Sequence, residues 1–221
     1  MAPDSKKDLN PETVLSGVRI QPGSAAGAIV RPEISETGVW IGVCAIMMTF
    51  AAFTSALIVR QGASPDWQHF QLPRILYLNT LILLISSVTL GVARWRFSSL
   101  AGATESTPAA ARRFFTEGLS WLYVTGTLGA LFVGGQILAW RSLAAQGLFL
   151  STNPSSSFFY VFTALHGLHL LGGIGGLIYI IHKLGRTNGT ARTTGLGAVC
   201  VYWHFMDGLW VYLFVLLAMR T

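Results

Sequence analysis

The sequence predicts an all-α membrane protein, a bundle of five transmembrane helices with its N-terminus inside and its C-terminus outside. Three observations carry that expectation. Hydrophobic residues make up 52% of the 221 and charged residues only 11%, with a mean hydropathy of +0.55, whereas a soluble domain carries roughly a quarter charged residues. The charges fall in short clusters between apolar runs long enough to cross a hydrocarbon layer of about 30 Å. Lys and Arg are shared unevenly between the two sides of the bundle. Lys6, Lys7, Arg19, Arg31, Arg94, Arg96, Arg112, Arg113, Lys183, Arg186 and Arg192 fall on one side, eleven against the four of Arg60, Arg74, Arg141 and Arg220. The richer side faces the cytoplasm.

Residues 1–36 read as a polar cytoplasmic tail, rich in Pro, Gly and Ser and without the apolar stretch of a signal peptide. The remaining residues, 37–221, form the transmembrane domain, with spans expected near 37–59, 75–95, 119–140, 158–181 and 197–219. Strands of alternating polarity are missing from the sequence, so a closed helical bundle, not a barrel, satisfies the backbone amides in lipid. The first span has no ionisable residue, and the second has only Arg94 near its inner end, where a long side chain reaches the headgroups. In the third and fourth spans, small residues recur. Gly129, Gly167 and the Gly172–Gly176 pair are expected to let helices approach closely, since lipid supplies no hydrophobic drive between them. Trp40, Trp67, Trp95, Trp121, Tyr123 and Trp140 lie near span ends and suit the headgroup layer. Trp203 and Trp210 lie deeper and need another explanation.

The net charge of +6 does not imply nucleic-acid binding, because the basic residues flank apolar runs and form no patch that tracks phosphates. Cys44 and Cys200 lie inside apolar runs and read as small buried residues. Paired carboxylates, a phosphate-cradling loop, a Ser-His-Asp set and a HExxH helix are all lacking, so catalysis by this chain alone is not expected.

Four ionisable residues enter the membrane: His166 and His169 in the fourth span, His204 and Asp207 in the fifth. A charge at mid-membrane costs about 2.5–3.5 kcal/mol on insertion scales, so each needs a partner or a function. Each pair is three residues apart and shares a helix face. Because the two spans run in opposite directions, His169 and His204 fall within roughly 5 Å of one depth, with Asp207 between the two histidines of span four. Three readings stay open on these residues: a structural or lipid-binding polar cluster, ligation of haem or a metal by a histidine pair, and a proton or ion relay.

The residues around them form recognisable segments. Tyr202-Trp203-His204-Phe205-Met206-Asp207-Gly208-Leu209-Trp210 resembles the YWHFxDxxW signature of subunit III of the haem-copper terminal oxidases, and Phe159 through His169 resembles that family's FFxxTGxHGxHV segment. Leu78-Asn79-Thr80 is similar to its LLNT stretch, and Gly129 through Gln136 to its LGxxFxxxQ segment. The resemblance covers spans two to five and points to the five-helix bacterial form. It implies a non-redox accessory subunit of a cytochrome c or quinol oxidase, with haem and copper held by subunit I and no cofactor in this chain. It also implies bound phospholipid, a place in the bacterial inner membrane, and support for oxygen reduction coupled to proton pumping. The accessory subunit of a nitric oxide reductase, whose signature overlaps, and a small transporter using Asp207 are the alternatives. Two positions depart from the family pattern: Ile46 and Ala139 stand where many members carry an acid.

Overall fold

The structure, a computed structural model, describes residues 34–63, 72–102, 107–150, 153–186 and 195–220. They form five helices: α1 (Ile34–Ala63), α2 (Ile75–Gly102), α3 (Pro108–Ala145), α4 (Pro154–Arg186) and α5 (Leu196–Arg220). All five are long and apolar enough to cross a membrane, and no strand occurs among the described residues. The expected tail lies almost wholly outside the described residues, and α1 begins at Ile34, three residues before the expected span.

Local chemistry sets the helix ends. Pro108 opens α3 and Pro154 opens α4, where a missing N–H is harmless and the fixed φ suits the first turn. Ahead of α4, Asn153 N–H donates to Ser156 Oγ, and the Ser156 hydroxyl donates to Asn153 O. Gly147 (φ 77°) follows α3 and Gly195 (φ 97°) precedes α5, two left-handed positions that only glycine takes without strain.

Each helix outruns the span predicted for it, and α3 does so most. Its 38 residues measure about 57 Å along the axis, roughly twice the hydrocarbon thickness. Most of the additional turns precede Leu119 and carry charge. There Arg96 of α2 pairs with Glu117 at 3.2 Å, and Glu117 also accepts from Arg113 at 3.1 Å. Helicity therefore continues past the apolar run, because α2 and α3 form an antiparallel hairpin that packs along its whole length.

α5 packs against α1, α2 and α4, while α4 also meets α3. α1 touches only α4 and α5, so α1 and α2 stand apart on either side of α5. The proximal end of the bundle, where α1, α3 and α5 begin, holds Arg94, Arg96, Arg112, Arg113, Lys183 and Arg186. The core runs through Phe50, Leu83, Phe132, Phe159, Phe162, Trp203, Met206 and Trp210.

The glycines expected to pack divide into two groups. A Cβ on Gly129 would lie 2.9 Å from the Trp203 ring, which would have to shift, and one on Gly173 3.1 Å from the Tyr202 ring, a tight contact to which that ring would have to yield. At Gly172 and Gly176 the nearest atoms lie 3.8 and 3.7 Å away, an ordinary contact, and Gly167 has nothing within 4 Å. Gly167 therefore departs from the expected packing role: it faces away from the helix contacts that its neighbours make.

Replacing Gly129 with Val should push Trp203 off its seat and lower stability by about 1–3 kcal/mol, as overpacking does. Gly134→Ala, which meets open space, should leave it within about 0.5 kcal/mol. Unfolding midpoints in detergent compare the two.

Candidate polar seam and membrane-buried site

The side chains of α5 that face α2 build a polar seam inside the membrane. Trp203 and Trp210 are seven residues apart, two helical turns, and so share one face. Trp203 Nε1 donates to Ser86 Oγ at 3.1 Å and Trp210 Nε1 to Thr80 Oγ1 at 3.0 Å. Each hydroxyl in turn donates to its own helix, Ser86 to Leu83 O and Thr80 to Leu76 O. The hydroxyl proton is spent locally, and its lone pairs remain for the indole. Both tryptophans are fully buried, which explains why they lie too deep for a headgroup anchor.

The same device joins other helices. Trp140 Nε1 of α3 donates to Thr163 Oγ1 of α4 at 3.0 Å, and Thr163 donates to Phe159 O. Tyr212 of α5 donates to Thr54 Oγ1 of α1 at 3.1 Å, and Thr54 donates to Phe50 O. Thr89 and Thr125 share a bond of 2.8 Å across α2 and α3.

The four intramembrane ionisable residues do not join into one network. His204 is exposed on the side of α5 left open between α1 and α2, and its Nδ1 lies 2.6 Å from Ser87 Oγ. Asp207 is only 4% exposed and turned toward α2, with Ser87 beside it, yet neither carboxyl oxygen has a hydrogen-bond partner. His169 Nδ1 donates to Leu165 O within α4, while His169 O accepts from the Tyr202 hydroxyl at 2.8 Å. His166 is wholly buried, and neither ring nitrogen has a partner. Its imidazole lies 5.0 Å from the Trp210 ring and 5.9 Å from Phe132, centroid to centroid. The depths expected from the sequence put these residues near one another; His204 and Asp207 meet at Ser87, while the two histidines of α4 point elsewhere, toward Trp210 and Phe50.

Of the two remaining motif residues, Asn79 Nδ2 donates to Phe132 O at 3.4 Å, a long bond. A Cβ on Gly135 would strike the Asn79 amide, so that glycine makes room for Asn79. Gln136 is buried with no partner for its amide. Ile46 and Ala139 belong to the apolar core. Among the described residues, no three of His, Cys, Asp or Glu come close enough to hold a metal. Ser86, Ser87 and Thr54 were not singled out from the sequence, where a lone hydroxyl in an apolar run gives little signal.

Comparison with known proteins agrees with the motifs. The family model described as "Cytochrome c oxidase subunit III" matches residues 34–220, from the first turn of α1 to the last of α5. The chain belongs to that family. A cytochrome c oxidase subunit 3 of Thermostichus vulcanus is 28% identical to it, over 86% of this chain and 90% of the relative. A probable cytochrome c oxidase subunit 3 of Nocardia farcinica is 30% identical over 87% and 93%. A cytochrome bo(3) ubiquinol oxidase subunit 3 of Pseudomonas aeruginosa is 29% identical over 80% of each. This subunit III is thus an accessory subunit of a bacterial haem-copper oxidase, a multi-pass membrane protein that associates with other oxidase subunits.

Removing the indole donor alone, as in Trp210→Phe, should lower stability by about 0.5–1.5 kcal/mol, the net worth of one hydrogen bond. Trp210→Ala also empties the layer around His166 and should lose about 3–5 kcal/mol. Denaturation of the detergent-solubilised protein, followed by near-UV circular dichroism, measures both.

Proposed function

We propose that this subunit packs against subunit I, the haem- and copper-bearing chain, and keeps the assembled oxidase intact while that chain reduces oxygen and pumps protons. The observation that carries the reading is a bundle whose deep indole and phenol donors are committed to joining helices. The indoles of Trp140, Trp203 and Trp210 and the phenol of Tyr212 all end on hydroxyls of neighbouring helices. In this reading the bundle lies in the bacterial inner membrane with its proximal, Arg-rich end inside and its C-terminus outside, as the positive-inside bias favours.

The chain also holds phospholipid in this reading. Between α1 and α5 at the proximal end lies a cavity of about 200 Å³ lined by Val39, Trp40, Arg94, Gly197, Ala198 and Val201. Arg94 has no carboxylate partner among the described residues, and the exposed Trp40 is amphipathic. A cation beside an aromatic belt residue over a small-residue floor suits an anionic headgroup, with acyl chains along the open side of α5.

Purification through a tag on this chain should bring down a larger polypeptide that carries haem and copper, while the chain expressed alone shows no Soret absorption. A Soret band from the single polypeptide overturns the proposal. Asp207→Leu should reduce the yield of assembled complex more than the initial rate of oxygen consumption per assembled complex. Asp207→Asn, which keeps hydrogen-bonding capacity, should be milder. A variant complex of normal stability with no initial turnover contradicts this division of labour.

A further inference from the structure

Two polar side chains on the core-facing lines of α3 and α4 have no hydrogen-bond partner in the protein. His166 is 0% exposed and Gln136 3% exposed. Both ring nitrogens of His166 and both polar atoms of the Gln136 amide lack a hydrogen bond. An amide buried without a partner costs several kcal/mol in hydrocarbon, so two at one level call for a common solution.

They share one level. The Trp140–Thr163 bond on one side and the packing of Gly129 against Ile174 on the other fix the register of α3 on α4. That register sets Gln136 opposite the His166–Gly167 step. The Trp210–Thr80 bond and the seat of Asn79 on Gly135 bring α5 and α2 to the same level. Gln136 lies on the line of Gly129, Phe132 and Ala139, the face of α3 that enters the core. His166 lies on the buried line of α4 with Phe159, Leu170 and Leu177.

Rotation of a neighbour does not solve the problem. Trp210 Nε1 and Trp140 Nε1 already end on Thr80 and Thr163, and those hydroxyl protons end on backbone carbonyls. The Asn79 amide is wedged against Gly135 and directed at Phe132 O. The imidazole of His166 packs beside the Phe132 and Trp210 rings, which meet each other edge to face and limit its swing on that side.

We propose that Gln136 and His166 hold a buried water molecule between α3 and α4. The donor and acceptor count suits it. A neutral imidazole offers one donor and one acceptor, and the Gln amide offers two donors and a carbonyl oxygen. A water makes about three bonds at such sites and is retained where polar groups have no other partner. The water cross-links α3 and α4 at the level where α5 inserts Trp210, so each of its partners depends on the other.

A map of the assembled oxidase containing this subunit, at a resolution that resolves ordered waters, tests the assignment. The expected result is a peak within about 2.7–3.2 Å of both the Gln136 amide and a His166 nitrogen. A direct Gln136–His166 bond, or no peak between the two side chains, overturns it. A second measurement applies even if density is poor: unfolding midpoints of the oxidase carrying Gln136→Leu, His166→Leu and both. A shared water is lost with either partner, so the double variant should fall by clearly less than the sum of the single losses. Additive losses overturn the proposal.

Discussion

The interaction on which this bundle depends is a hydroxyl that gives its proton to its own helix and accepts one from the next. Ser86, Thr80, Thr163 and Thr54 all do this, receiving Trp203, Trp210, Trp140 and Tyr212. In water such a bond is worth little, since either partner could turn to solvent. In lipid no such exchange exists, and an indole N–H that reaches mid-membrane must find an acceptor inside the protein. A hydroxyl whose proton is already bonded to a carbonyl three or four residues back presents only lone pairs. It cannot compete as a donor, so the pairing has one sense and fixes the register of each helix pair.

α5 collects most of these bonds and also the tightest packing. Trp203 bonds to α2 while its ring lies against Gly129 of α3 and Gly173 of α4, so one side chain ties α5 to three other helices. α1 has no comparable anchor. It is joined to α5 by the Tyr212–Thr54 bond and by Arg220 Nη1 donating to Gln61 at 3.0 Å, and to α4 by the Phe50 and Phe53 rings against Phe162. Large residues such as Trp40, Met47, Met48 and Val59 of α1 face outward. The helix with the fewest internal contacts has the most surface left for lipid or another subunit.

The five spans were legible in the sequence because apolar length is a direct record of hydrocarbon thickness. Their ends were less so: α3 begins eleven residues before the expected span because the Arg96–Glu117–Arg113 cluster keeps the hairpin helical beyond the apolar run. The polar site was legible by depth and not by direction. His166 and His169 are three residues apart, some 60° around the helix. That is enough to aim one imidazole at Trp210 in the core and the other at Phe50 of α1. His204 and Asp207 both meet Ser87 of α2, His204 from the exposed side and Asp207 from the buried side. Ser86, Ser87 and Thr54 were hidden because a hydroxyl bonded to its own backbone is inexpensive in any apolar helix, so its presence alone carries no message.

The apolar residues at Ile46 and Ala139 bear on how the remaining polar groups are satisfied. Ala139 lies one turn from Gln136 on the face of α3 that enters the core, and it is fully buried. A carboxylate there, as the family pattern would place it, would put a charge beside the Gln136–His166 level and draw that amide and imidazole toward itself. With Ala139 no carboxylate stands on α3 beside Gln136, and the polar groups that α3 and α4 bring to this level are an amide and an imidazole. A neutral molecule that donates and accepts is then the simplest partner for both. The loss of the acid and the water between α3 and α4 are in this sense one feature: removing the charge makes a small neutral bridge sufficient.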